Sequence, residues 1–179
     1  MAGRTAQDIN IYNWEKVFAT LPLKNLPEES GKDIFFWDEW IKHPDYDDYW
    51  KALANDERYD DIEIPVLQIG GWYDFFTAGT FHNFVGMREG GGSRLARDNQ
   101  RAIVGPWIHS ASTLTRAGEV DFGRGSVLDL EQHELRWFDH WLKGIDNGAD
   151  ADIPLNIFVM GINQWRDEII EADKYTFET

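Results

Sequence analysis

The chain has 179 residues, 42% of them hydrophobic and 15% aromatic with nine Trp, which excludes a disordered chain and suffices for one medium domain or parts of two. Its 32 acidic residues against 17 basic ones give a formal net charge of −15, which repels phosphate backbones and argues against nucleic acid as a partner, and no apolar run is long enough to span a bilayer. There is no Cys, which removes disulfides, thiolate chemistry and cysteine metal sites and favours a cytoplasmic location.

In chain order, "MAGRTAQDIN" has no apolar core, so no signal peptide is expected. "DIFFWDEWIKHP" carries Ile34, Trp37, Trp40 and Ile41 at helical spacing, and Pro44 breaks the pattern. "DYDDYWKALANDE" predicts a second helix, with Asp45 as N-cap and Tyr49 and Leu53 on one face. The acids of "PDYDDYW" and "NDERYDDIE" read as solvated faces, since neither cluster has calcium-loop spacing. "IPVLQIG" is a short apolar run ended by glycines, the pattern of a strand buried on both faces. "FTAGTFHNFVGMREGGG" predicts a helix with Phe81, Phe84 and Val85 inward and glycines at its exit. "RAIVG" is a second buried strand. "SVLDLEQHELRWFDHWLKG" is the strongest helix, capped by Ser126, stopped by Gly144, with a core stripe of Leu128, Leu135, Phe138, Trp141 and Leu142. This strand–helix alternation is the rhythm of a parallel sheet. After the turn-rich "DNGADADIP", "LNIFVMG" is another strand, and "INQWRDE" is a β-turn with a packed Trp165 and an Arg166 paired with a nearby acid. The zones fall at 1–60, 61–147 and 148–179, and the chain reads as cut rather than finished.

Sites in open parallel sheets form outside the carboxyl ends of the strands. Asp74 lies five residues after Ile69, and His109 five after Val104, so two neighbouring strands present an acid and an imidazole at one edge. A carboxylate beside His fixes its tautomer and stabilises the imidazolium, which is two thirds of a nucleophile-activating triad. A single Asp or His at a strand end is more often a cap or a satisfied surface group, so spacing leaves both readings open. No G-x-S-x-G occurs. Ser93 in "GGSRL" lacks the closing Gly and follows a helix, and Ser110 and Ser112 merely neighbour His109, so none stands at a nucleophile elbow.

"IPVLQIGGWYDFF", "GPWIHS", "WFDHWLKG" and "IFVMGINQWRDE", spaced in this order, resemble the cocaine-esterase/NonD type of serine hydrolase, relatives of X-prolyl dipeptidyl peptidases and α-amino acid ester hydrolases. The resemblance implies an α/β fold: 1–60 as the end of a helical cap, 61–147 as the C-terminal part of an α/β-hydrolase parallel sheet, and 148–179 as the start of a β jelly roll. It implies Asp74 as triad acid, His109 as triad base and Phe76 in the acyl pocket. The nucleophile serine and the oxyanion donors are expected upstream, so the chain alone is expected to be inactive. "DFFT" has no carboxylate after Asp74 to hold a substrate ammonium, and an apolar or aromatic acyl group suits Phe75 and Phe76 better. Trp72, Tyr73 and Trp107 read as packing residues, and His43, His82, His133 and His140 as structural or surface groups. The implied partner is a small acyl ester or an X-Pro-type amide, with no metal or organic cofactor, no nucleic acid and no membrane. Homo-oligomerisation or pairing with the missing N-terminal half is also expected. The competing reading is an inert remnant that binds protein or sugar through its aromatics.

Overall fold

The computed structural model describes residues 14–109 and 112–169, which pack as two units dividing between Ala54 and Asn55.

The first unit is a set of short helices: α1 (Trp14–Phe18), α2 (Leu26–Ser30), α3 (Trp37–Lys42) and α4 (Asp48–Lys51). Helices this short have little stability of their own and rest on side-chain contacts. Phe36 and Trp40 lie 4.5 Å apart, Trp40 and Trp50 5.8 Å apart, and the Trp37 indole donates to the Leu23 carbonyl at 2.9 Å. Asp47, not Asp45, caps α4, accepting from the Tyr49 N–H at 3.0 Å. It outcompetes Asp45 because it stands directly before the first turn. Leu53 lies beyond the helix and is exposed.

The second unit is built on one sheet of four strands, β1 (Val66–Gly71), β2 (Gln100–Gly105), β5 (Leu155–Val159) and β6 (Gln164–Glu168), in the order β1-β2-β5-β6. The first three run parallel and β6 turns back antiparallel. Between β1 and β2 lie α5 (Thr77–Gly90) and α6 (Arg94–Asp98). A small hairpin, β3 (Arg116–Ala117) with β4 (Val120–Asp121), precedes α7 (Leu130–Lys143).

Strand side chains alternate between faces, and the core divides accordingly. Phe84 of α5 packs with Ala102 and Leu155, joined by Phe81, Val85 and Ile157. Ala117, Phe122 and Phe158 form a separate cluster with Trp165. Burying Phe84 or Phe158 contributes about 2 kcal/mol each from apolar area alone. β2 and α5 thus follow the pattern of the sequence, whereas β1, expected to be buried on both faces, is only half-buried over Val66 to Ile69, having a strand neighbour on one side only among the described residues.

Two sequence expectations for α7 are corrected. Asp129 caps it, accepting from the Gln132 N–H at 3.1 Å. Ser126 is instead fully buried in a 3₁₀ turn (Arg124–Ser126), its hydroxyl donating to the Gly123 carbonyl at 2.7 Å. Of the expected stripe, Leu135, Phe138 and Leu142 face outward, 58%, 51% and 76% exposed, while Trp141 is half-buried. A second apolar row, Trp137 and Trp141 at 5.6 Å, lies about a third of the way round the helix from these and turns inward, Trp137 buried and Trp141 half-buried. Gly144 ends the helix as expected.

The stretch from residue 148 does not leave the sheet at once. Asp152 pairs with Arg101 of β2 at 2.9 Å and with Arg136 of α7, whose guanidinium also donates to the Asn147 carbonyl at 3.1 Å. These ties hold the connector against the sheet, and β5 then forms beside β2, with Ala102 opposite Leu155.

Candidate active site

The register sets Gly71, the last residue of β1, opposite Gly105, the last of β2. Beyond these ends the two loops stay joined. The Trp72 N–H donates to the Gly105 carbonyl at 2.8 Å and the Tyr73 N–H to the Trp107 carbonyl at 3.0 Å. A Cβ on Gly71 would run into that Trp107 carbonyl, so only glycine lets the loops approach so closely. The chain after β1 then turns sharply into α5. The Asp74 N–H donates to the Gly71 carbonyl at 2.9 Å, and the Thr77 hydroxyl donates to the carbonyls of Gly71 and Asp74.

This turn aims the Asp74 carboxylate at His109. Oδ1 accepts from the Phe76 N–H at 2.9 Å, and Oδ2 lies 3.0 Å from His109 Nδ1. An ionised carboxylate only accepts, so the Nδ1 that faces it is the donor, and Nε2 is the ring nitrogen left facing away from Asp74. The backbone N–H of Phe76, and after it His109, hold the Asp74 carboxyl below the usual carboxylate range. Its side chain is 12% exposed, that of His109 57%. The acid is shielded and fixed while the imidazole faces outward. Phe75 and Phe76 flank the imidazole, each ring 5.5 Å from it and 4.2 Å from the other. Both are largely uncovered. Chemically, the arrangement is an oriented proton acceptor beside an apolar wall.

Other candidate residues lie apart. Ser93 caps α6, accepting from the Ala96 N–H at 2.9 Å and donating to the Glu63 carbonyl at 2.7 Å, before β1 begins and so at the opposite edge from Asp74. Ser110 lies outside the described residues. His82 stands 3.5 Å from Asp56, and His140 Nδ1 donates to the Ile145 carbonyl at 3.1 Å. His133 is pushed down by burial and then by Arg101. His43, in the first unit, pairs with Asp47 at 2.6 Å and stacks on Tyr49 at 4.3 Å. Among the described residues, no three His, Asp or Glu side chains are grouped to hold a metal ion. Trp107 is buried, Trp72 stacks on Phe81 at 5.6 Å, and Tyr73 lies 5.8 Å from Phe122. Arg166 pairs with Glu168 at 2.9 Å. Sequence reading missed Thr77, although a hydroxyl residue three places after Asp74 at a helix start is a local capping signal.

The sequence pattern of the X-Pro dipeptidyl-peptidases (S15 family) matches residues 4–111. Over 136 residues the chain is 34% identical to cocaine esterase of Rhodococcus sp. strain MB1 Bresler, covering 73% of this chain and 22% of that protein. Predicted serine esterases of Mycobacterium bovis and Mycobacterium tuberculosis are each 29% identical over 107 residues, covering 53% of this chain and 16% of theirs. Among solved structures, an aminopeptidase from the marine sediment archaeon Thaumarchaeota archaeon superposes with a TM-score of 0.59 at 21% identity, over 79% of this chain and 23% of that one, a likeness of fold alone. The chain therefore spans less than a quarter of the length of each of these proteins.

Proposed function

The chain belongs to the X-Pro dipeptidyl-peptidase (S15) family of hydrolases, of the cocaine-esterase/NonD type, and from that premise we propose that it carries the His–Asp half of a Ser–His–Asp triad. The observation that supports this is the 3.0 Å approach of His109 Nδ1 to Asp74 Oδ2 at the carboxyl ends of two adjacent parallel strands. In this reading Asp74 holds the imidazole in the tautomer that leaves Nε2 free. His109 takes the proton of a serine hydroxyl as it attacks an acyl carbonyl, then delivers it to the leaving alcohol or amine. Water repeats the sequence to release the acid. No step requires a metal or organic cofactor.

The nucleophile and its oxyanion donors are assigned to a segment outside this sequence, which has no strand–elbow–helix with G-x-S-x-G. That segment would pair along β1, which has a strand neighbour on one side only among the described residues. The substrate is a small acyl ester or an X-Pro-type amide, with its apolar acyl part against Phe75 and Phe76. No carboxylate follows Asp74 in "DFFT" to select a substrate ammonium. Residues 1–60 are assigned to the end of a helical cap, 61–147 to the C-terminal part of the hydrolase sheet, and 148–179 to the start of a β jelly roll.

The alternative, an inert remnant that binds a partner, draws support from the uncovered Leu135, Phe138 and Leu142 row. A fluorophosphonate probe, which labels activated serines, tests the assignment. The purified chain should stay unlabelled, and a co-purifying or co-expressed serine-bearing segment should take the label. Labelling of the chain itself would place the nucleophile within it and contradict the split.

A further inference from the structure

Two residues near the candidate pair sit in a continuous run of aromatic contacts that starts and ends at the site. Tyr73, next to Asp74, lies 5.8 Å from Phe122. Phe122 meets Phe158 of β5 edge-on at 6.0 Å, and Phe158 meets Trp165 of β6 at 5.5 Å. Trp165 lies 5.6 Å from Trp107, two residues before His109. All four spacings fall in the range of attractive aromatic pairs.

The two indoles are also pinned to one turn. Trp107 Nε1 donates to the Ser126 carbonyl at 3.0 Å, and Trp165 Nε1 donates to the neighbouring Gly125 carbonyl at 2.8 Å. The Trp107 ring lies so tightly over Gly105 that a Cβ there would enter it. Trp107 is therefore fixed from three sides: by the bare backbone of β2, by the turn that ends at buried Ser126, and by Trp165. Its own carbonyl receives the Tyr73 N–H. A displacement of Trp107 would thus be felt both by the loop that carries His109 and by the loop that carries Asp74.

We infer that Trp165 is a positioning residue for the His109–Asp74 pair, closing from outside the three parallel strands an arc that holds the two loops in register; this rests on the reading of that pair as the triad acid and base. It touches neither His109 nor substrate and acts through Trp107. The role gives the stretch after residue 148 a part in the chemistry: β6 is needed for the geometry of the site and not only for the sheet.

The test reads the imidazole directly. The chain labelled with ¹⁵N-histidine is examined near neutral pH by long-range ¹H–¹⁵N spectra, with thermal midpoints measured in parallel. In the unaltered chain His109 should be chiefly Nδ1-protonated, and Asp74→Asn should abolish that preference. Trp165→Leu should make the Nδ1-protonated form the minor one at temperatures where the protein is still folded, and Trp165→Phe, which keeps a ring against Trp107, should restore much of it. A Trp165 that is merely structural would lower the thermal midpoint and leave the tautomer unchanged, which would overturn the inference. Should Trp165→Leu fail to fold, Trp165→Met, which fills more of the space but still removes the ring against Trp107, takes its place. A shifted tautomer there supports the role, and an unshifted one overturns it. If Asp74→Asn leaves the tautomer as it was, the pair itself is rejected; if only the arc variants leave it so, the pair stands and the brace falls.

Discussion

Gly71 and Asp74 carry most of the geometry at the scale of single residues. Gly71 is needed because two loops cross where a side chain would stand, and the obstacle is backbone, which cannot swing aside. Gly71→Ala should therefore destabilise the protein by roughly 1–3 kcal/mol, the usual cost of forcing atoms into filled space. Urea unfolding followed by Trp fluorescence would measure it, and a midpoint equal to that of the unaltered chain would contradict the tight crossing. The approach of His109 to Asp74 was legible in the sequence because each follows a strand by the same number of residues. Thr77 was overlooked although a hydroxyl three places after Asp74 is a capping signal; that it also reaches the Gly71 carbonyl depends on the sharp turn between β1 and α5, which its spacing alone does not give.

At the scale of elements, α7 shows what periodicity can and cannot decide. Its existence and its end at Gly144 follow from spacing and a glycine stop. Its buried side does not, because Leu135, Phe138 and Leu142 make as regular a row as Trp137 and Trp141. Only the neighbours determine which row turns inward. Likewise Ser126 and Asp129 are both good capping residues three positions apart, and the choice fell to Asp129 because the Trp107 indole engages the Ser126 carbonyl within a separate turn. The α3–α4 corner yields a pH prediction. Asp47 first, then Glu39, hold the His43 imidazolium above the ordinary histidine value. A raised folded value means that the stabilisation is complete below the ordinary histidine pKa and fades as pH rises through the folded one. Urea midpoints taken between about pH 6 and pH 9 should fall across that window. In His43→Gln this fall should vanish, and its persistence there would assign the pH dependence to another group.

For the whole molecule, the alternation of strands and helices was enough to anticipate a parallel sheet, and the family pattern and the likeness of fold agree with that architecture. "DNGADADIP" has the composition of a linker, yet Asp152 binds Arg101 and Arg136 and brings β5 back beside β2. A salt-bridged connector and a free one share the same polar residues, so composition does not separate them. The division between Ala54 and Asn55 falls where a polar run begins at Asn55. At this scale we propose the chain as the acid–base half of a Ser–His–Asp triad whose serine lies on another segment. The most direct test is hydrolysis of a p-nitrophenyl ester by the chain assembled with a segment that supplies the serine elbow, with and without His109→Ala. The assembly should turn over, and the variant should be slower in kcat by about 10⁴ or more. Equal rates in the two would contradict the assignment of His109 as the base.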